Sequence, residues 1–290
     1  MNNNTARVGA LMAMGSMLCV QIGLAVAVSL FDDIGAAGAA WLRLAWAGVI
    51  LLILVRPKPS AFTRKTFATS VLLGVVTAMV TVMFMASLSR IPLGVASAIE
   101  FLGPLGVAVA TAGAGRRVLW PALAAVGILL LTEPWSGTVD TIGVLLALGA
   151  AVCWAAYILL TQRVGDAVTG INGLAVSMPV AGIVATITVG PAAFDRMTPE
   201  FLLIGVGLAI LLPVIPFTLE FLALRRLNTS SFGTLMSLEP AFAMIIGLVI
   251  LHQVPSHLAV IGLGFVVAAG IGAARSGARI AEPVPAEVNC

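Results

Sequence analysis

The chain has 290 residues, of which 60% are hydrophobic and 9% charged, with a formal net charge of +3 and a mean hydropathy of +1.13. Soluble domains carry about 25% charged residues, so this chain has too few to cover a surface in water. The composition excludes a soluble enzyme, a nucleic-acid-binding domain and a disordered protein, and leaves a chain whose solvent is largely lipid.

Apolar runs follow one another along the chain at 8–30, 34–55, 67–89, 92–112, 118–132, 141–161, 172–190, 201–223, 231–251 and 257–274. A helix needs about 20 apolar residues to cross a bilayer, and the run at 118–132 is the short one. No alternating pattern of a β-barrel occurs, so the fold class expected is an all-α membrane protein of ten transmembrane helices. The first run follows Arg7 and has some likeness to a signal peptide, but it is long and nine more follow, so it reads as a retained span. The joining loops are short, which predicts that consecutive helices are antiparallel neighbours. Residues 275–290 lose hydrophobicity and gain Pro, which predicts a disordered cytoplasmic tail. Cys19 and Cys153 lie inside runs and Cys290 is the last residue, an arrangement that argues against a disulfide framework.

Charge sets the direction. With alternate loops assigned to alternate sides, the side of the N-terminus holds twelve Lys and Arg, among them Arg56, Arg64, Lys65, Arg116, Arg163 and Arg225. The other side holds only Arg90 and Arg196, together with Asp32, Asp33, Glu133, Asp140, Asp195 and Glu200. The positive-inside rule then places both termini in the cytoplasm.

Two halves of the chain look like copies. MGSMLCV at 14–20 resembles LGAAVCW at 148–154, LSRIPLG…GP at 88–104 matches LRRLNTS…EP at 224–240, and Gly127 matches Gly262. The offsets agree within two residues, which predicts one five-helix repeat over 8–132 and a second over 141–274. An odd number of spans inverts the second copy in the membrane. Inverted repeats with a site near the midplane are a transporter architecture. Small residues at spacing four, Gly15, Cys19, Gly23 and Ala27, and again Gly143, Ala147, Ala151 and Ala155, predict close helix packing.

Four charged residues interrupt the runs: Arg43, Glu100, Glu220 and Glu239. Each costs roughly 2.5–3.5 kcal/mol at a helix centre. Together the cost is on the order of 10 kcal/mol, comparable to the stability of a domain, so a compensating role is expected. Counting along the runs puts Arg43, Glu100 and Glu239 near mid-membrane and Glu220 nearer the cytoplasmic end. Pro104 follows Glu100 by four residues and Pro240 follows Glu239 directly, while Pro213 and Pro216 interrupt the eighth run. Proline frees a backbone carbonyl, which lipid tolerates only where the backbone faces protein or a wet cavity. The pattern points to a central cavity in which a carboxylate exchanges a proton or pairs with an ammonium group and Arg43 pairs with an acid or receives a substrate carboxylate. Gln21, Trp154 and Tyr157 are candidates for hydrogen bonds or an aromatic wall. The bland alternative is a set of kinks with a buried acid paired to Arg43, the lone polar residues being packing contacts.

These stretches carry a family resemblance. IPLGVASAIEFLGPLGVAV at 91–109, LGAAVCWAAYILLTQRVG at 148–165, SFGTLMSLEPAFAMIIGLVIL at 231–251 and WLRLAWAG at 41–48 resemble the EamA-type branch of the drug/metabolite transporter superfamily, over nearly the whole of 10–274. The resemblance implies ten spans in two inverted repeats, and export of amino acids of the threonine and homoserine kind, or of related metabolites, across the bacterial inner membrane with the proton gradient as drive. Arg43, Glu100, Glu220 and Glu239 coincide with charged positions of the family. One departure follows the ninth span. The family often reads Leu-Gly-Glu where this chain has Leu251, His252 and Gln253, which weakens the transfer of a gating or pairing role to that place.

No GxxxxGK[ST] motif occurs, so no nucleotide or other cofactor is expected, and the expected partners are a small zwitterionic or amphipathic substrate, protons and the lipid bilayer. No Asp lies within a run and no HExxH exists, which argues against a membrane-embedded enzyme. His252 and His257 read as solvated loop residues rather than metal ligands. A drug or sugar-derivative exporter of the same superfamily, and a sensor or structural subunit, remain open as alternatives, as does the oligomeric state.

Overall fold

The computed structural model describes residues 3–57, 60, 62–111, 119–133, 140–167, 172–216, 219, 223 and 235–276. These are helical, and no strand occurs among the described residues. Glu220 and residues 277–290 of the expected tail lie outside the described residues, as do Arg116 and Arg225.

Helix α1 (Asn3–Ser29) leads through Leu30 into α2 (Phe31–Val55). Gly35 in α2 has φ 71° and ψ 168°, a backbone shape open to glycine and few other residues. The chain turns there, so the helix proper of the second run begins just after Asp32, Asp33 and this glycine. Helix α3 (Arg64–Leu88) opens with a capping box: Thr66 N–H donates to Thr63 Oγ1 at 3.2 Å and Thr63 N–H to Thr66 Oγ1 at 2.8 Å.

The fourth run is not one helix. It divides at Phe101 into α4 (Leu93–Glu100) and α5 (Leu102–Thr111). Pro104 has no N–H to give the carbonyl of Glu100, and the break falls there. Helix α6 spans Leu119–Thr132 and α7 Thr141–Ala167. Asp140 starts α7 by accepting the Gly143 N–H at 2.8 Å. Then come α8 (Asn172–Thr188), the short α9 (Gly190–Phe194) and α10 (Pro199–Ala209), which continues as a π turn over Ile210–Val214. Pro213 lies in that turn and Pro216 just after it. Each lacks the N–H for an ordinary helical bond, and the wider turn accommodates the loss. Helices α11 (Glu239–Ile250) and α12 (His257–Ser276) are the last among the described residues. The last helix therefore runs two residues past the expected end at 274.

Among the described residues four helices are long and apolar enough to cross a membrane: Arg7–Ser29, Phe31–Val55, Arg64–Leu88 and Thr141–Thr161. The described parts of six further apolar segments, with 93–107 taken as one across its break, are 10–17 residues long. Two runs are interrupted within the described residues: the fourth divides at Phe101, and the ninth turns at Ser237–Leu238 before Glu239.

Packing is also not chiefly between sequence neighbours. The broadest contacts join α3 to α7 and α8, α2 to α8, and α6 to α12. Glycines make these approaches close. A Cβ on Gly48 would stand 3.0 Å from the Met178 carbonyl oxygen, and one on Gly182 would stand 3.1 Å from that of Leu44. Gly127 and Gly262 face each other in the same reciprocal way. In a medium where burial of apolar surface gives no drive, such backbone contact is what associates helices. The small residues of α7 serve too: Ala147 and Ala151 are buried and α7 lies against α4 and α5.

The main apolar core sits toward one end of the bundle. It joins the last turns of α1 and α3 to the first turns of α2, α4 and α7 through Leu24, Ile34, Leu88, Leu93 and Ala147. This is the end away from the N-terminus.

Candidate functional site

Next to that core lies a cavity of about 220 Å³. Gln21 of α1, Arg43 of α2, Glu100 of α4, Trp154 and Tyr157 of α7, and Glu239 of α11 all line it. Pro216, beyond the π turn, is also on its wall. Six polar and aromatic candidates thus come from five helices to one place. Pro104 and Pro240 do not line the cavity. Pro213 is placed by its backbone within the π turn.

The two breaks present the acids differently. Glu100 is the last residue of α4, and seven of the eight residues of that helix are buried. Glu239 is in the first turn of α11, with Pro240 beside it. Pro240 is therefore not a kink within a helix, as the sequence suggested. It starts one, where a missing N–H leaves no bond unmade, and the turn before it is Ser237–Leu238. Glu239 therefore stands at a helix start, where the partial positive charge favours an acid.

Arg43 interacts electrostatically with Glu100 and with Tyr157, and Glu100 with Glu239. Gln21 donates its Nε2 to Glu239 Oε1 at 3.4 Å. Ser16, one turn earlier on the same helix, donates its hydroxyl to the Pro216 carbonyl at 3.3 Å, which uses a carbonyl near the proline-broken segment. The cavity thus holds one guanidinium, two carboxylates, an amide and a phenol within walls that include Leu24, Leu44, Phe84, Met178 and Leu212.

The sequence reading missed Thr77, Thr81 and Ser97, which also line the cavity. The spacing carried a signal. Ser97 is three residues before Glu100 and Thr81 four after Thr77, so each pair shares a helix face. Hydroxyls are common in helices, and nothing else set these three apart.

A second pocket, of about 490 Å³, opens at the end of the bundle away from the N-terminus. Arg90, Glu133, Asp140, Gln253 and Ser256 are on its rim. Arg90 Nη1 pairs with Asp140 Oδ2 at 3.0 Å, and Ser256 donates to Glu133. The main-chain N–H of Gly143, helped by Arg90, holds the Asp140 carboxyl below its ordinary value of 3.8. Gln253 Oε1 accepts the Leu93 N–H at 2.9 Å, a first-turn donor that the preceding Pro92 leaves uncapped. The departure at 253 therefore keeps a tie to α4, made by an amide. His252 is exposed with φ 54°, and His257 is exposed at the start of α12. Among the described residues no cluster of His, Cys, Asp and Glu is placed to hold a metal ion.

Comparison with known proteins agrees with this architecture. The sequence profile of the EamA-like transporter family matches residues 141–274, which are α7 through α12. The threonine/homoserine exporter RhtA of Escherichia coli is 36% identical over 261 residues, covering 89% of this chain and 88% of that protein. The chain belongs to the EamA-like transporter family. The threonine/homoserine exporter RhtA of Salmonella typhimurium is 35% identical over 260 residues, with the same coverage. One solved structure, a crystal structure of a protein, shares 18% identity at a TM-score of 0.60, covering 94% of this chain and 98% of that one. That likeness concerns the fold. This EamA-family chain is apolar and helical over its described residues, and these relatives are named as exporters.

Proposed function

We propose that this chain is a secondary exporter of small zwitterionic amino acids, threonine- or homoserine-like, coupled to protons and working by alternating access in the bacterial inner membrane. The observation that carries the reading is the meeting of Arg43, Glu100 and Glu239 at one cavity. A guanidinium offers a planar fork to a substrate carboxylate. A carboxylate offers a place to an ammonium group or to a proton, and to one at a time. That exclusion couples the two: entry of a proton releases the substrate amine, and loss of the proton readies the site for the next. Glu220 is proposed as a further coupling acid on the cytoplasmic side.

Size supports an amino acid. Pockets for drug-sized ligands start near 300 Å³, above the 220 Å³ found here. The exporter names of the relatives point the same way.

We propose further that residues 8–132 and 141–274 are inverted repeats of five spans each, with both termini cytoplasmic. Positions 44 and 48 face 178 and 182 reciprocally, at one common offset of 134, and Gly127 faces its own counterpart Gly262. Such self-matching contacts are what a pseudo-two-fold axis in the membrane plane produces. Under that axis a cavity open to one side has a mirror arrangement open to the other. The sidedness is supported by the distribution of Lys and Arg.

The test is threonine flux in proteoliposomes under an imposed pH gradient, with Glu100→Gln and Glu239→Gln. Loss of gradient-driven flux in either variant is expected. Unchanged flux and coupling in both would falsify the coupling scheme.

A further inference from the structure

We propose that Ser97 and Gln21 read a hydroxyl on the side chain of the transported amino acid. The inference rests on the exporter reading above and deepens it, because it names what distinguishes one small amino acid from another at this site.

Ser97 is 5% exposed and Gln21 is 1% exposed, and both line the cavity. Ser97 Oγ and Gln21 Oε1 are buried polar atoms with no hydrogen-bond partner among the described residues. Several other helical hydroxyls of this protein bond back to their own helix. Thr77 Oγ1 donates to the Leu73 carbonyl at 2.7 Å, Ser87 Oγ to that of Phe84 at 2.7 Å and Thr186 Oγ1 to that of Gly182 at 2.7 Å. Ser97 does not. Gln21 spends its amide N–H on Glu239, which leaves its oxygen as an acceptor in the same cavity. Buried polar atoms without partners are rare and call for an explanation, and these two share one cavity.

The charged groups already account for the α-amino and α-carboxyl ends of an amino acid. What remains for its side chain is a hydroxyl donor and acceptor at Ser97 and an acceptor at Gln21. Ser97 lies one helical turn from Glu100, with about 5–6 Å between Cβ atoms at that spacing. An ammonium held at Glu100 therefore puts a hydroxyl one or two carbons further out within reach of Ser97. An isosteric methyl in that place leaves both polar atoms unmet. Sites that bond a substrate hydroxyl reject the analogue lacking it far more strongly than apolar pockets sort methylenes.

The experiment uses the full chain, purified and reconstituted, with threonine against valine and homoserine against norvaline. The wild type is expected to favour each hydroxylated member by at least about tenfold in kcat/KM. Ser97→Ala is expected to narrow both ratios by about tenfold, as the loss of one neutral hydrogen bond would. Ser97→Thr, which keeps the hydroxyl, should preserve the preference. Thermal shift of the solubilised wild type by the same four amino acids gives a reading that needs no variant, and equal shifts for all four would overturn the proposal. So would flux with unchanged ratios in Ser97→Ala. Absence of flux for all four amino acids in the wild type would instead overturn the exporter reading, and this inference with it.

Discussion

Gln21 Nε2 donates to Glu239 Oε1 at 3.4 Å, so the amide of α1 touches the acid that begins α11, 218 residues along the chain. The bond joins the first helix of one half to the broken span of the other. Gln21→Leu keeps the shape and removes this donor. A hydrogen bond to a charged group contributes about 1.5–3 kcal/mol, and this one is long, so the lower end applies. Transport of threonine in proteoliposomes should fall by about tenfold, measured as initial rate over substrate concentration.

Gly127 and Gly262 give a second prediction. A Cβ on Gly127 would stand 2.7 Å from the Gly262 carbonyl oxygen, and one on Gly262 would stand 2.5 Å from that of Gly127. Both obstacles are backbone, so Gly127→Ala can be accommodated only by parting α6 from α12, at about 1–3 kcal/mol. Gly262→Ala should cost the same. Since either change parts the helices, the double variant should lose less stability than the two losses added. Thermal unfolding in detergent measures all three, and strict additivity would contradict the shared contact.

His252 follows α11 with φ 54°. A side chain there works against the left-handed backbone, at about 1–2 kcal/mol, while glycine gives back about 0.4–1 kcal/mol in the unfolded chain. His252→Gly should therefore raise stability by roughly 0.5–1 kcal/mol, read as a higher Tm. It also gives a physical reason for the glycine that the family often carries at this place.

Asp140 predicts a pH dependence at the end of the bundle away from the N-terminus. Its folded carboxyl is held below the ordinary 3.8 by the Gly143 N–H and by Arg90. A depressed acid contributes stability above its unfolded value, and that contribution is lost as pH falls through the folded one. Tm of the wild type should thus drop below about pH 4. Asp140→Asn retains a side-chain oxygen for the helix start and should flatten that part of the profile. An unchanged acid limb in the variant would assign the drop to other carboxyls.

Charge was the readable part of this sequence. Arg43, Glu100 and Glu239 stand out because lipid makes each of them costly, and Gln21, Trp154 and Tyr157 share their cavity. The hydroxyls of Ser97, Thr77 and Thr81 were not readable, because a Ser or Thr in a helix ordinarily bonds its own backbone and costs little. The breaks within runs were also not readable. Hydropathy does not register that Phe101 divides a run or that Ser237 and Leu238 turn before Glu239, since those residues suit the average as well as their neighbours do. The association of α3 with α7 and of α2 with α8 depends on where glycines such as Gly48 and Gly182 meet a facing backbone. A one-dimensional pattern of small residues does not name the partner.

Helix α4 has a consequence for electrical behaviour. Gly94 and Val95 line the pocket at the end of the bundle away from the N-terminus, while Ser97 and Glu100 line the central cavity. Val95 and Ser97 are about 3 Å apart along the axis, at 1.5 Å per residue. The two cavities therefore approach each other along this helix to within less than one turn. Under the proposed exporter reading, a charge moving from Glu100 toward the second pocket would have only that short stretch of protein to cross, and a full potential of 100 mV is worth about 2.3 kcal/mol per charge.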